Sequence, residues 1–219
     1  DAVRKDVAAD LLALATRQVP DDPRRHVQRA LAHVLFGRGG IFAQSLDYSG
    51  NQKLLVAAFG AILQNEDGRT RGVLAEAVRN VKDGKQLAEY LPAVMEATRE
   101  LAPSDMMFAD QIRVAGLDLL SRMRIREGME MCLDQMDPSR WGWPDRIPGC
   151  IAALKRYGGA AKEILPKIEA MRDKLSRGRG DDRARKACAA GLDEVIQIIN
   201  ADKNPPKLRT VAEAIAEGK

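Results

Sequence analysis

The sequence predicts an all-α fold, a right-handed stack of about five antiparallel helix pairs, and three observations carry that prediction. Apolar residues recur at helical spacing through almost all of the 219 residues, and no segment shows the two-residue alternation of a half-buried strand. A fourteen-residue stretch occurs twice, at 88–101 (AEYLPAVMEATREL) and 162–175 (KEILPKIEAMRDKL), so that Leu91, Pro92, Val94 and Leu101 recur as Leu165, Pro166, Ile168 and Leu175. The offset of 74 is twice 37, and a period in that range marks stacked helical hairpins, none of which buries its apolar face alone. Aromatic residues are scarce (2 Trp, 3 Tyr, 4 Phe) while Ala and Leu dominate, which suits helices that approach closely.

Residues 2–17 form the first predicted helix, with Val3, Val7, Leu11 and Leu14 on one stripe. The second opens at Asp21-Asp22-Pro23, where a carboxylate caps free N–H groups and proline occupies a first-turn position that needs no donor. It runs to Phe36, and the glycine-rich 37–40 stops it. Residues 41–50 (IFAQSLDYSG) are irregular and turn-like at their end. Helix 51–64 follows with Leu54, Leu55, Ala58 and Ile62 on its apolar side, and then helix 69–81 with Leu74, Ala77, Val78 and Val81. Asp83-Gly84 turns the chain into the first Leu-Pro helix, which Pro103-Ser104 breaks.

Helix 110–123 places Ile112, Ala115, Gly116, Leu119, Leu120 and Met123 on one face, and 126–136 is its shorter partner, ended by Asp137-Pro138. Counting 37 on from Leu91 lands on Gly128, so this middle repeat has lost its Leu-Pro. Pro144-Asp145 opens the next helix, with Ile147, Cys150, Ile151, Leu154 and Tyr157 facing inward, and Gly158-Gly159 leads into the second Leu-Pro helix. A flexible joint at 177–181 precedes helix 182–200, which carries Ala184, Cys188, Leu192, Val195 and Ile199. Pro205-Pro206 then introduces a short last helix to about residue 217. The expected organisation is one helical-repeat domain over 1–219: divergent helices at 1–68, the clearest repeats at 69–176, the joint, and capping helices at 182–219.

Ala152-Ala153-Leu154, Tyr157-Gly158, Ala161 and Leu165-Pro166-Lys167-Ile168 resemble the HEAT-like repeat, in which a first helix ends near a glycine and a second opens with Ala and Leu-Pro. The resemblance covers roughly 69–176 and implies an α-solenoid whose second helices line a concave face used to bind a protein, and sometimes another macromolecule. The stretches 65–69, 102–104, 107–110 and 140–143 are also similar to the helical C-terminal regions of large uncharacterised bacterial proteins that carry HEAT-like repeats. That group lends no function.

Lys and Arg total 35 against 31 Asp and Glu, a net charge of +4 with opposite charges interleaved, the surface of an ordinary soluble helical protein. No apolar run is long enough to span a membrane. The chain opens at Asp1 without Met, so it reads as a fragment or processed form whose compartment is unknown. Cys132, Cys150 and Cys188 lie 18 and 38 apart, match no zinc pattern and read as buried small hydrophobes. His26 and His33, two turns or roughly 10 Å apart along one helix, are too far apart to share a metal. Gly37-Arg38-Gly39-Gly40 lacks the lysine of a nucleotide loop. No catalytic residue, metal or cofactor is expected.

Two segments hold the candidate binding residues. Trp141 and Trp143 flank Gly142 just before Asp145 and Arg146, a set that suits stacking on a base or sugar. In some HEAT-like proteins, the DNA glycosylases, aromatic residues and an Asp act in this way; the plainer reading is a covered hairpin end and a helix start. Arg172, Lys174, Arg177, Arg179, Arg183, Arg185 and Lys186 stand against Asp173, Asp181 and Asp182, a run that suits a phosphate backbone or, more plainly, a solvated joint. Met123, Met129, Met131 and Met136 read as core gap-fillers or as an adaptable surface. The expected function is a non-enzymatic interaction or scaffold module within a larger protein. A nucleic-acid-binding module and the helical accessory region of an upstream enzyme stand as alternatives.

Overall fold

The computed structural model describes residues 2–17, 25–80, 85–99, 106–178 and 182–217. Their regular structure is helical: α1 (Ala2–Thr16), α2 (His26–Phe36), α3 (Gln52–Leu63), α4 (Gly68–Asn80), α5 (Leu91–Arg99), α6 (Met106–Arg122), α7 (Arg126–Asp134), α8 (Trp143–Tyr157), α9 (Leu165–Arg177), α10 (Asp182–Ala201) and α11 (Val211–Glu217). Short 3-10 segments, Lys85–Tyr90 and Gly158–Ile164, precede α5 and α9. The all-α expectation holds, and helices contact mostly their near neighbours in sequence. The expected helix start at Asp21-Asp22-Pro23, Val81, the Asp83-Gly84 turn, Leu101, the Pro103-Ser104 break and most of the 177–181 joint lie outside the described residues.

Contacts divide the chain into a unit ending at Gly116 and one covering Leu117–Glu217. In the first, α1 packs on α2 and α3, α2 on α4, and α3 on α4 and α5. Asn51 caps α3 by accepting the Leu54 N–H at 3.1 Å, and the Gly37 N–H closes α2 on the His33 carbonyl at 3.0 Å, the stop that the glycine run foretold. Phe59 packs edge-on against Phe36 and Tyr90, with centroids 5.5 and 4.9 Å apart. The irregular 41–50 segment is fastened to this cluster: Phe42, Ala43, Leu46 and Tyr48 are buried, and the Tyr90 hydroxyl donates to the Leu46 carbonyl at 2.8 Å.

One stripe is corrected. The core face of α1 is Ala8, Leu12 and Ala15, all buried, whereas Val7 and Leu14 stand 46% and 37% exposed and Leu11 is half-buried; the Val3 side chain is outside the described residues. Apolar residues surround this helix, so periodicity marks two faces and does not choose between them. The smaller residues won, because Ala8 and Ala15 let α2 and α3 approach. The stripes expected for α6 and α8, and that for α4 as far as Val78, are buried as read, and Met123, Met129, Met131 and Met136 are all in the core.

In the second unit α7 packs on α8 and α9, and both α8 and α9 pack on α10. Three ion pairs join positions 37 apart: Arg126 with Glu163 at 4.0 Å, Glu130 with Lys167 at 3.6 Å and Asp137 with Lys174 at 3.9 Å. Because partners keep the same order along both segments, α7 and α9 run in the same direction. Hydrogen bonds from Asn65 to Gln28 (2.9 Å) and from Asn80 to the Ala43 carbonyl (3.1 Å) span the same 37 positions in the first unit.

Both Leu-Pro pairs open an α-helix directly after a 3-10 segment. Burial repeats with the sequence: Leu87 and Ala161, Tyr90 and Ile164, and Val94 and Ile168 are buried, while Pro92 and Pro166 are exposed. Leu165 is only half-buried, unlike Leu91. Gly128, where the count of 37 falls in α7, has no room for a side chain. A Cβ there would lie 2.5 Å from the Leu120 Cβ and 2.6 Å from the Tyr157 hydroxyl, which itself donates to the Ile125 carbonyl at 2.8 Å.

The chain end returns to this junction. Arg209 exchanges backbone hydrogen bonds with Arg124 and Arg126, both 2.9 Å, and its side chain donates to the Met123 carbonyl at 2.9 Å. The Val211 N–H donates to Glu127 at 3.2 Å.

Leu119→Ala and Leu154→Ala, at fully buried positions, should each lose about 2–5 kcal/mol in urea unfolding, and Leu165→Ala less. Gly128→Ala should lose about 1–3 kcal/mol by overpacking. A neutral Gly128→Ala would contradict the close approach of Tyr157.

Candidate functional site

The loop between α7 and α8 is built around one buried side chain. Arg146 is 2% exposed, and its guanidinium donates to the carbonyls of Gln135 (2.8 Å), Trp141 (3.0 Å) and Asp137 (3.3 Å). A buried guanidinium needs acceptors on every side, and this loop supplies them by curling around it. Gly142, at φ 76°, takes the left-handed conformation that lets the chain turn into α8. Arg146 is thus engaged by the loop's own backbone.

Asp137 fixes the other end of the loop, its carboxylate accepting the Ser139 N–H at 3.0 Å and the Ser139 hydroxyl at 2.7 Å. Those two hydrogen bonds foremost, with Lys174 and Arg140 adding, hold the Asp137 carboxyl below its ordinary value. What the loop presents is Trp141, 62% exposed. Trp143 is half-buried, and Asp145 is exposed in the first turn of α8.

The basic run divides into engaged and outward-facing cations. Arg172 bonds Asp173 at 2.7 Å and Asp193 at 2.6 Å, and Arg177 reaches Asp173 at 3.3 Å although its side chain is 81% exposed. Arg183 is exposed on the first turn of α10, and Arg179 lies outside the described residues.

The fold brings the two segments together. The Arg185 guanidinium sits 5.0 Å from the centre of the Trp143 ring, a cation–π contact, and Lys174 meets Asp137 at 3.9 Å. Trp141, Trp143, Lys174, Arg177, Arg183 and Arg185 therefore belong to one region of the second unit. Sequence reading placed each residue but gave no signal of the meeting, because the Trp143–Arg185 contact depends on how α8 and α10 dock.

A groove of about 350 Å³ between α8 and α10 was not foreseen. Pro148, Ile151, Ala187, Cys188 and Gly191 line it, and the Lys155–Glu194 ion pair, 2.5 Å, stands at its rim. The close run of Ala187, Ala190 and Gly191 on one face of α10 was the available signal. The three cysteines are free and buried, and burial pushes the Cys132 and Cys188 thiols up, away from nucleophilic chemistry. His26 and His33 are exposed, and among the described residues no His, Cys, Asp and Glu group could hold a metal. No described helix is long and apolar enough to cross a membrane.

The class these features define is an all-α protein with an exposed aromatic and basic surface region. No family model, curated protein or solved structure matches the chain.

Arg146→Ala should lose about 1–3 kcal/mol in thermal unfolding, since three carbonyls lose their donor, and should lower the fluorescence anisotropy of Trp141 as the loop loosens. The depressed Asp137 pKa implies loop support that is complete above the carboxyl's ordinary value and is lost as pH falls through the lower, folded value. Indole emission should accordingly hold past the ordinary value of 3.8 and change only at more acid pH. In Asp137→Asn this acid step should be missing.

Proposed function

We propose that this chain is a HEAT-like α-solenoid of stacked antiparallel helix pairs that works as a non-enzymatic interaction or scaffold module. The observation that carries the reading is the 37-position register. Arg126–Glu163, Glu130–Lys167 and Asp137–Lys174 link residues 126–137 (α7 and the turn after it) to residues 163–174 (α9 and the turn before it) in constant step, and Gln28–Asn65 and Ala43–Asn80 keep the same step elsewhere in the chain. Such exposed pairs contribute little stability, and their value here is geometric. A stack of repeats brings each helix beside its counterpart one repeat later, in parallel, and a constant offset is what that arrangement leaves in a contact map. The equivalent Leu-Pro helix starts at Leu91 and Leu165 support the same reading.

For function, the second helices of such a stack present a surface. Glu130 and Lys167 are outward residues on α7 and α9 of the second unit, opposite in sign. A mixed, exposed helical surface suits recognition of a folded partner protein.

Photo-crosslinkers placed at Glu130 and Lys167 in cells should yield the same discrete protein adducts, and one at Glu194 on α10 should not. Equal labelling from all three positions, or none above background, would overturn the reading.

A further inference from the structure

We propose that the surface formed by Trp141, Trp143, Lys174, Arg177, Arg183 and Arg185 binds single-stranded nucleic acid, with an unstacked base on the Trp141 indole and neighbouring phosphates on Arg177, Arg183 and Lys174. The first ground is that Trp141 is presented. The residue is 62% exposed although its own carbonyl is tied to the buried Arg146, so a fixed loop holds a large aromatic residue in water. Folding gains nothing from that exposure. A flat ligand that covers the ring would gain from it.

The second ground is charge. Residues 172–186 carry seven Lys and Arg against three Asp, an excess of four that matches the net +4 of the whole chain. The surplus positive charge of the protein therefore sits in one short run. The fold carries that run to the tryptophan loop through Arg185 on the Trp143 ring (5.0 Å) and Lys174 at Asp137 (3.9 Å). Asp137 and Asp173, which lie within the patch, already accept from its cations. Asp173 keeps Arg172 when Arg177 turns to a phosphate.

The third ground separates ligand classes. A duplex keeps its base faces stacked and closed to an indole, and an acidic peptide has no obligatory π face, whereas a single strand offers both a π face and phosphates. The inference stands apart from the partner-protein reading, because its residues lie on the α7–α8 loop and the α9–α10 junction and not on the crosslinking positions.

The test is a titration of the whole unaltered chain with fluorescein-labelled dT12, following indole quenching and label anisotropy at low and raised salt. Saturable quenching is expected, with the logarithm of affinity falling with log salt at a slope of about −2 for three neutralised phosphates. Trp141→Ala should weaken binding at least tenfold with the unfolding midpoint unchanged, and Arg177→Ala should flatten the slope by about 0.7. Absence of binding at low salt would overturn the proposal, as would affinity unaltered by Trp141→Ala. Equal binding of a twelve-base-pair duplex, or displacement of dT12 by polyglutamate of the same length at equal charge, would overturn it in favour of a generic polyanion or acidic-protein surface. Quenching by a mononucleotide that matches the dT12 affinity would overturn the strand in favour of a free nucleotide.

Discussion

Removal of the apolar face of α8 from water organises the second unit. Ile147, Cys150, Leu154 and Tyr157 are fully buried and Ile151 nearly so. At about 1.5–3 kcal/mol for each large side chain, this stripe outweighs any of the surface ion pairs around it. The helix contacts α7 on one side and α10 on another, so its burial requires both. Neither the α7–α8 pair nor the α8–α9 pair could achieve it alone.

Much of this was legible because most helices have one apolar side. In α4, α6 and α8 the stripe read from spacing is the stripe that is buried, and Asn51 and Gly37 end helices where their chemistry says they should. The first helix was not legible in that way. With Val7, Leu11 and Leu14 on one side and Ala8, Leu12 and Ala15 on the other, its period is helical on both sides, and only the neighbours' need for close approach selects a face. The need for glycine at 128 was not legible either, because it is tertiary: Tyr157 and Leu120 occupy the space a side chain would need.

The candidate surface was legible as composition and illegible as geometry. Trp141, Trp143, Asp145 and Arg146 read as one cluster in sequence, yet the fold separates their roles. Arg146 turns inward to hold three carbonyls, and Trp141 turns outward. A guanidinium beside two indoles looks like ligand chemistry in a string of letters. Which way it points depends on the path of the backbone from 135 to 142, and no local propensity encodes that path.

The return of residues 209–211 to the α6–α7 turn bears on how the molecule is made. Arg209 and Val211 satisfy backbone and carboxylate groups more than eighty positions earlier, through a bridge between Ile125 and Arg209. During synthesis from the N-terminus, α7 and α8 emerge long before their covering strap. Until residue 211 clears the ribosome the Met123 and Arg124 carbonyls and the Glu127 carboxylate lack these partners, so this edge is sealed only after α7 to α10 have been made.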